Sequence, residues 1–252
     1  MLFNTRAAES THWYTREGEP MYTVTAKNGN QRPTTLRDAR ALNLVPSVTT
    51  VLNVAAKPGL ELWKPRQLLL AALTLPRNEN EAEGDYLERI MRDSKEEGKS
   101  AADRGTEIHA SIQSFYEERP HDFHEHVYAF DTEITQAFGQ QFWIAERSFS
   151  HELGYGGKVD LHCAQGKGIV LDIKTKEFDD KDKVDAYDEH LMQLAAYRVG
   201  LGLSEAQCAN VFVSRTVPGL TKIIEWTESD LQRGFRMFCH LLNFWQERNQ
   251  HK

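Results

Sequence analysis

Apolar residues recur at helical spacing in the first part of the chain, and this spacing changes near residue 141. Ile108, Ile112 and Phe115 show the first pattern, because they fall on one face of a helix predicted over 100–118. The Asn-Gly pair at 28–29 predicts a hairpin turn. Further helices are predicted over 48–52, 60–75 and 123–138, and the charged stretch 77–99 is predicted to be a solvated helix or loop.

After residue 141 the pattern predicts short strands. These are expected over 142–149, 155–163, 169–174, 210–216 and 221–226, with a helix over 187–200 and a final helix after the last strand. This order predicts an α/β fold, with a mixed central β-sheet flanked by helices. We expect residues 1–99 to form a helical N-terminal extension, a hairpin plus helices, packed on a core of residues 100–252.

The composition fits one large domain with an extension. The chain has 252 residues, of which 40% are hydrophobic, so it can bury a sizeable core. No apolar run approaches the roughly 18 residues that cross a bilayer, and the first residues lack the apolar stretch of a signal peptide. The three cysteines are far apart and indicate neither a disulfide framework nor a CxxC metal site. We therefore expect no membrane association and a cytoplasmic location.

The net charge is acidic, with 30 lysine and arginine residues against 37 aspartate and glutamate residues and a formal charge of −7. A passive nucleic-acid coat usually needs a basic face, so this balance argues mildly against one. It does not exclude an enzyme that holds a polyanion through local cations and a bound metal.

Two aspartates face each other across a predicted hairpin. Asp160 and Asp172 lie in consecutive strands, and the loop between them is centred on Gly166. That centre places the two aspartates directly opposite each other, with Cβ atoms roughly 5 Å apart. Lys174 is two residues beyond Asp172, so a strand puts both side chains on one face.

This arrangement favours a divalent-cation site. Two close carboxylates on an apolar sheet repel each other unless a proton or a cation intervenes, and Mg²⁺ prefers hard oxygen ligands. Lys174 could balance charge, hold an attacking water or stabilise developing negative charge. The alternative is a salt bridge between Asp172 and Lys174 that only stabilises the fold.

Two helices contribute further candidates. His109 shares a helix face with Ile112, where a histidine in isolation is more often an interior residue than a ligand. Gln193 and Tyr197 are four residues apart and share a face of the helix 187–200, which in isolation is typical of the polar edge of an amphipathic helix.

Four short motifs occur in one order along the chain: Gly105-Thr-x-x-His109, Gly154-x-Gly-Gly-x-x-Asp160, Asp172-Ile-Lys174 and Gln193-x-x-x-Tyr197. In this order and at these separations they resemble the PD-(D/E)XK nuclease superfamily, and more narrowly its RecB-type exonuclease branch. The stretch 46–52, Pro-Ser-Val-Thr-Thr-Val-Leu, is similar to one in the mitochondrial genome maintenance exonuclease and its phage relatives. Each motif is unspecific alone, but four in sequence order are not.

The resemblance implies a restriction-endonuclease-like core and a metal site. Asp160, Asp172, His109 and the backbone carbonyl of Ile173 would bind Mg²⁺ or Mn²⁺. Val159 stands where the superfamily name has proline. The chain lacks the four-cysteine arrangement of the iron–sulfur members, so no cluster is expected.

The resemblance also implies roles for three polar side chains. Lys174 would position or activate the attacking water. Gln193 and Tyr197 would orient the active site or contact the DNA backbone.

Contacts with DNA phosphates are expected near the start of the helix 48–52. Ser47, Thr49 and Thr50 offer hydroxyls and free N–H groups there, and Arg104 lies close in sequence to the predicted site. The segment 63–66, Trp-Lys-Pro-Arg, interleaves an aromatic residue with cations and could bind a single strand, although core packing explains the tryptophan equally well.

The function implied by the resemblance is a divalent-metal-dependent DNA exonuclease in phage-type recombination or DNA repair. A structure-specific endonuclease on the same core is the alternative within the enzyme class, and a non-cleaving nucleic-acid-binding protein is the alternative outside it. The implied partner is DNA with a free end, together with a single-strand-annealing or recombination protein, in the cytoplasm of a bacterial or phage-infected cell.

Overall fold

A computed structural model describes residues 12–56 and 58–252. Within them, the strands in chain order are β1 (Trp13–Tyr14), β2 (Thr23–Thr25), β3 (Gln31–Pro33), β4 (Val45–Pro46), β5 (Ile144–His151), β6 (Tyr155–Cys163), β7 (Ile169–Lys176), β8 (Gln207–Ser214) and β9 (Thr221–Trp226). The helices are α1 (Leu36–Leu42), α2 (Val48–Leu52), α3 (Pro58–Thr74), α4 (Glu83–Tyr116), α5 (His124–Phe138), α6 (Asp188–Gly200) and α7 (Glu228–Asn249).

The central sheet has five strands in the order β5-β6-β7-β8-β9. Strands β7 and β8 are parallel and the other neighbours are antiparallel, so the sheet is mixed. Helix α6 connects the two parallel strands, as a parallel pair requires a crossover. The predicted α/β fold with a mixed central sheet and flanking helices is confirmed.

Helices cover both faces of this sheet. On one face, α2, α6 and α7 enclose a core that includes Val159, Leu191 and Phe238. On the other face, α4 and α5 enclose a core that includes Ile108, Phe130 and Leu171. The apolar stripe predicted from position 108 onward is therefore the buried face of α4.

The N-terminal segment packs into the core as well. The predicted turn at 28–29 joins β2 to β3, where the N–H of Ala26 donates to the carbonyl of Asn30 at 2.8 Å. Trp13 is almost fully buried, and its ring meets that of Trp245 edge to face at 5.9 Å. Helix α4 crosses the expected boundary at residue 99 without a break, so extension and core are not separated there in the chain.

Helix α4 is the longest described element, with 34 residues, or about 51 Å at 1.5 Å per residue. The stretch 77–99, predicted as a solvated helix or loop, includes the whole first half of α4, residues 83–99. Helix α3 packs on this half of α4. The ring of Trp63 lies 3.1 Å from where a Cβ on Gly98 would be, so Trp63 packs between the two helices while remaining partly exposed. None of the described helices is long and apolar enough to cross a membrane.

Candidate active site

The site begins where β6 and β7 separate. Their paired residues, from Cys163–Ile169 to Leu161–Leu171, are those of a hairpin centred on Gly166, as the sequence predicts. The next pair would be Asp160 and Asp172, but the ladder ends before it. The carboxylate of Asp160 enters the gap instead, where its Oδ2 accepts the backbone N–H of Ile173 at 2.7 Å.

Asp172 is the most deeply buried acid of the site, with no exposed surface. Its Oδ1 accepts from the Nζ of Lys174 at 2.8 Å, and its Oδ2 accepts from the amide of Asn210 at 2.7 Å. The indole N–H of Trp226 holds that amide from the other side, at 2.8 Å from Asn210 Oδ1. Because each carboxylate oxygen has more than one lone pair, both can still accept from a further partner.

Helix α6 places two polar side chains beside Lys174. The Oε1 of Gln193 accepts from Lys174 Nζ at 3.1 Å, and the Nε2 of Gln193 donates to the hydroxyl of Tyr197 at 2.9 Å. Both side chains are buried, so their spacing of four residues is not that of a solvated helix edge. They fix the position of the ammonium group.

Helix α4 supplies His109 from the opposite side. The Nε2 of His109 is 3.2 Å from the Oδ1 of Asp160. A cleft of about 370 Å³ opens here, lined by residues of α4 and β7 that include His109, Ile173 and Lys174. The structure thus brings together His109, Asp160, Asp172 and Lys174, while metal contact by the carbonyl of Ile173 stays a prediction.

Gly105 allows α4 to approach β7 this closely. A Cβ on Gly105 would lie 2.3 Å from the Oγ1 of Thr175, much shorter than any van der Waals contact. This explains the glycine one helical turn before His109. The close approach holds the turn of α4 before His109 against β7.

We expect Gly105→Ala to lower the free energy of unfolding by about 1–3 kcal/mol relative to Gly84→Ala, because the added methyl group overpacks the contact with Thr175. Gly84 is a matched control, since it lies in the same helix with no atom within 4 Å of an added Cβ. Alanine there should be neutral or stabilising, by up to about 1 kcal/mol. Chemical denaturation of both variants tests this, and an equal gain in stability would contradict the packing argument.

The charges of the site act on one another. Burial raises the pKa of Asp172 to about 6. The positive charge of Lys174 lowers this pKa, and repulsion from Asp160 raises it, but burial has the largest effect. Burial would also raise the pKa of Asp160, but His109 and Lys174 outweigh it and hold this pKa below its usual value. Burial would lower the pKa of Lys174, but the two carboxylates outweigh it and raise the pKa. Lys174 therefore stays charged, and Asp172 is the carboxylate that gains a proton first as the pH falls.

Glu146 is a site residue that the sequence analysis missed. His109, Glu146 and Asp160 each have one potential metal-ligand atom in a common cluster, and these three atoms lie within 4.8 Å of one another. Glu146 is mostly buried and forms an ion pair with Lys158. Its φ of 55° lies in the left-handed region, which is costly for a residue other than glycine and is concentrated at functional sites.

If these three side chains share a cation, Glu146→Gln will weaken Mn²⁺ binding to the metal-free protein. We expect a loss of at least about tenfold, since even the partners that orient metal ligands are worth about 10–100-fold. Glu152→Gln is the control, because Glu152 lies exposed in the turn between β5 and β6. Isothermal titration calorimetry measures both affinities, and equal affinities for the two variants would remove Glu146 from the ligands.

The residues expected to contact phosphates differ in accessibility. Ser47 caps α2, and its Oγ accepts the backbone N–H of Thr50 at 3.0 Å. Ser47 and Thr50 are both buried, whereas Thr49 is exposed. Arg104 is exposed too, with its guanidinium 4.4 Å from the centre of the Phe123 ring. Contact with DNA at these positions stays a prediction.

The acidic segment 177–190 is held against the sheet by its backbone and its few apolar residues. Phe178 and Val184 pack on Phe212 of β8. Lys222 donates to the backbone carbonyls of Asp180 and Asp182, at 2.9 and 2.7 Å. The segment thus packs over β8 and β9, and most of its carboxylates are exposed to solvent.

Comparisons with known proteins add little to this geometry. No protein-family model matches the chain, and no curated protein gives a significant match. Among solved structures, the chain is similar to one described as "Crystal structure of SSO0001", with 16% identity, a TM-score of 0.32, and coverage of 72% of this chain and 85% of that one. A similarity of this size carries no argument about the site.

Proposed function

We propose that the chain is a divalent-metal-dependent deoxyribonuclease, and that it acts as an exonuclease. The observation that supports this most is a set of contacts: His109 of α4 meets Asp160 of β6, Asp160 accepts the β7 backbone N–H next to Asp172, and Lys174 is bonded to Asp172. His109 and Lys174 line one cleft. The restriction-endonuclease-like core and the resemblance to RecB-type exonucleases are part of this proposal. Exonucleolytic rather than endonucleolytic action rests on that resemblance alone.

The donor set fits Mg²⁺ or Mn²⁺. Carboxylate oxygens are the ligands that Mg²⁺ and Mn²⁺ prefer. His109, Glu146 and Asp160 have ligand atoms within 4.8 Å of one another, and Asp172 would join them in holding the ion. A bound ion would polarise the scissile phosphate and lower the pKa of a bound water.

The protein's own groups supply the rest of the chemistry. The ammonium of Lys174 is held by Asp172 and Gln193 at the edge of the cleft, where it can hold a water or stabilise negative charge on the phosphate. Burial raises the pKa of Tyr197 well above its usual value, so the hydroxyl that binds Gln193 stays protonated. This chain of contacts positions Lys174 without taking part in proton transfer itself.

Incubation of the purified protein with labelled linear and circular DNA tests the proposal. With Mg²⁺ or Mn²⁺, linear DNA should be degraded and covalently closed circular DNA should remain intact; with EDTA, neither should be cut. Cutting of circular DNA would favour an endonuclease. Absence of cleavage with every metal and substrate would contradict the nuclease proposal.

A further inference from the structure

The first half of α4 carries a row of cations. Arg92, Lys95 and Lys99 are spaced three and four residues apart, which places them on one face of the helix. All three are exposed, and together with Glu88, Met91 and Glu96 they line an open surface depression of about 500 Å³ on α4. We call these three residues the α4 cation row.

The α4 cation row points along the helix to the candidate active site. Continuing with the same spacing, the face passes through Ala102 and Thr106 and reaches His109, and these three residues line the cleft of the site. The helix is unbroken from Arg92 to His109, a distance of about 25 Å at 1.5 Å per residue. At 3.6 residues per turn, Lys95, Lys99 and Arg92 lie about 40°, 80° and 100° around the helix from His109, so the row and the site lie on adjoining faces of one helix.

The cations of the row are available to an external anion. Among the residues that the structure describes, none of the three forms an ion pair, whereas Arg89 on a neighbouring face is paired with Glu81 at 2.8 Å. Glu88 and Glu96 also line the depression, at the end away from the site and on its flank. Between Lys95 and His109 this side of α4 carries Lys95 and Lys99, with Glu96 and Asp103 beside them.

A row of cations matters more in an acidic protein than in a basic one. The chain carries a net charge of −7, so a polyanion is repelled by most of the surface and must be held where positive charge is concentrated. Positively charged grooves that follow the backbone are how proteins bind single strands without sequence preference. A peptide or a small anion would not need three cations in line with the site.

We infer that the α4 cation row binds the phosphate backbone of a DNA strand whose end lies in the cleft at His109. This rests on the proposed function for the identity of the ligand, but its test does not depend on cleavage. The row would hold the part of the strand that has not yet been cut.

The test measures DNA binding in EDTA by fluorescence anisotropy, with a labelled oligothymidylate of about 20 nucleotides, long enough to span the roughly 25 Å from Arg92 to His109. In Arg92→Gln/Lys95→Gln/Lys99→Gln, we expect the slope of log affinity against log salt to fall by about 2, or roughly 0.7 for each lost phosphate contact. Glutamine keeps helix propensity, so the helix should persist. Lys95→Arg/Lys99→Arg keeps the charges and should keep the slope.

A matched control removes three exposed cations elsewhere. Lys27→Gln/Lys167→Gln/Arg236→Gln changes the β2–β3 turn, the β6–β7 turn and α7, with the same change in net charge. Its slope should equal that of the wild type. An unchanged slope in the α4 variant, or an equal fall in the control, would overturn the inference. If the wild type binds DNA through the α4 cation row but cleaves no DNA with any metal, the nuclease proposal is contradicted and the DNA-binding inference is supported.

Discussion

Asp160→Asn should abolish metal-dependent cleavage while leaving the fold intact. Asp160 is the carboxylate that touches both halves of the site, with His109 on one oxygen and the N–H of Ile173 on the other. Asparagine keeps an oxygen for Ile173 but loses the negative charge that a cation requires. We expect the rate to fall by about 10²–10³-fold or more, the loss that follows removal of one electrostatic group from an active site.

Glu225→Gln is the matched control for this variant. It also removes one carboxylate from a strand of the central sheet, but Glu225 is exposed on β9. Its turnover and thermal midpoint should match those of the wild type. If Asp160→Asn retains near-normal turnover with an unchanged midpoint, Asp160 does not hold a catalytic metal.

Lys174→Gln should lower the turnover number by about 10²–10³-fold, with a smaller effect on KM, because Lys174 is assigned to the reacting groups rather than to the bound strand. Quenched single-turnover assays on labelled DNA measure both quantities. Lys167→Gln, in the exposed β6–β7 turn, is the control for loss of one lysine. A loss confined to KM would instead assign Lys174 to binding.

The same variant has a pH signature in its stability. Without Lys174, Asp172 is a buried acid without its cation, so its pKa in the folded protein rises further above the wild-type value of about 6. An acid with a raised folded pKa favours the folded state only while protonated, so stability is lost as the pH rises through that pKa. The deficit relative to wild type should therefore grow from pH 5 to pH 8. A deficit independent of pH would contradict the ion pair.

The sequence predicts the parts of the site that depend on short-range geometry. The two-residue period of a strand places Asp172 and Lys174 together, and their side chains are in contact. The hairpin centred on Gly166 is present, but its pairing stops before Asp160 and Asp172, and Asp160 contacts the N–H of Ile173 instead. The four-residue period of a helix likewise joins Gln193 to Tyr197. Each prediction needs only one element or one turn.

Asn210 was missed because it depends on longer-range pairing, whereas Glu146 was missed although a hairpin relates it to Asp160. A hairpin centred between Glu152 and Gly154 places Glu146 opposite Asp160. The glycine at 154 is the residue in the sequence that indicates this turn. Asn210 lies beside Asp172 through the parallel β7–β8 pairing, which a crossover helix sets and no turn reveals. The only local sign was an amide within an otherwise apolar strand.

The buried state of Ser47 and Thr50 could not be predicted either. The Ser47 hydroxyl caps a helix of five residues by accepting the N–H of Thr50, which is what the position of Ser47 after Pro46 indicates. Their burial comes from the packing of α2 on α6 and α7, elements more than a hundred residues away. Local chemistry predicted the cap, but the tertiary contact decides that only Thr49 faces solvent.

Anomalous diffraction from crystals of the protein grown with Mn²⁺ tests most directly whether Asp160 and Asp172 share a cation. The proposed site requires an anomalous peak in the cleft, within about 2.5 Å of a carboxylate oxygen of each aspartate, with the Lys174 ammonium alongside. A cleft with no peak, or a Mn²⁺ ion bound without either aspartate, would contradict it.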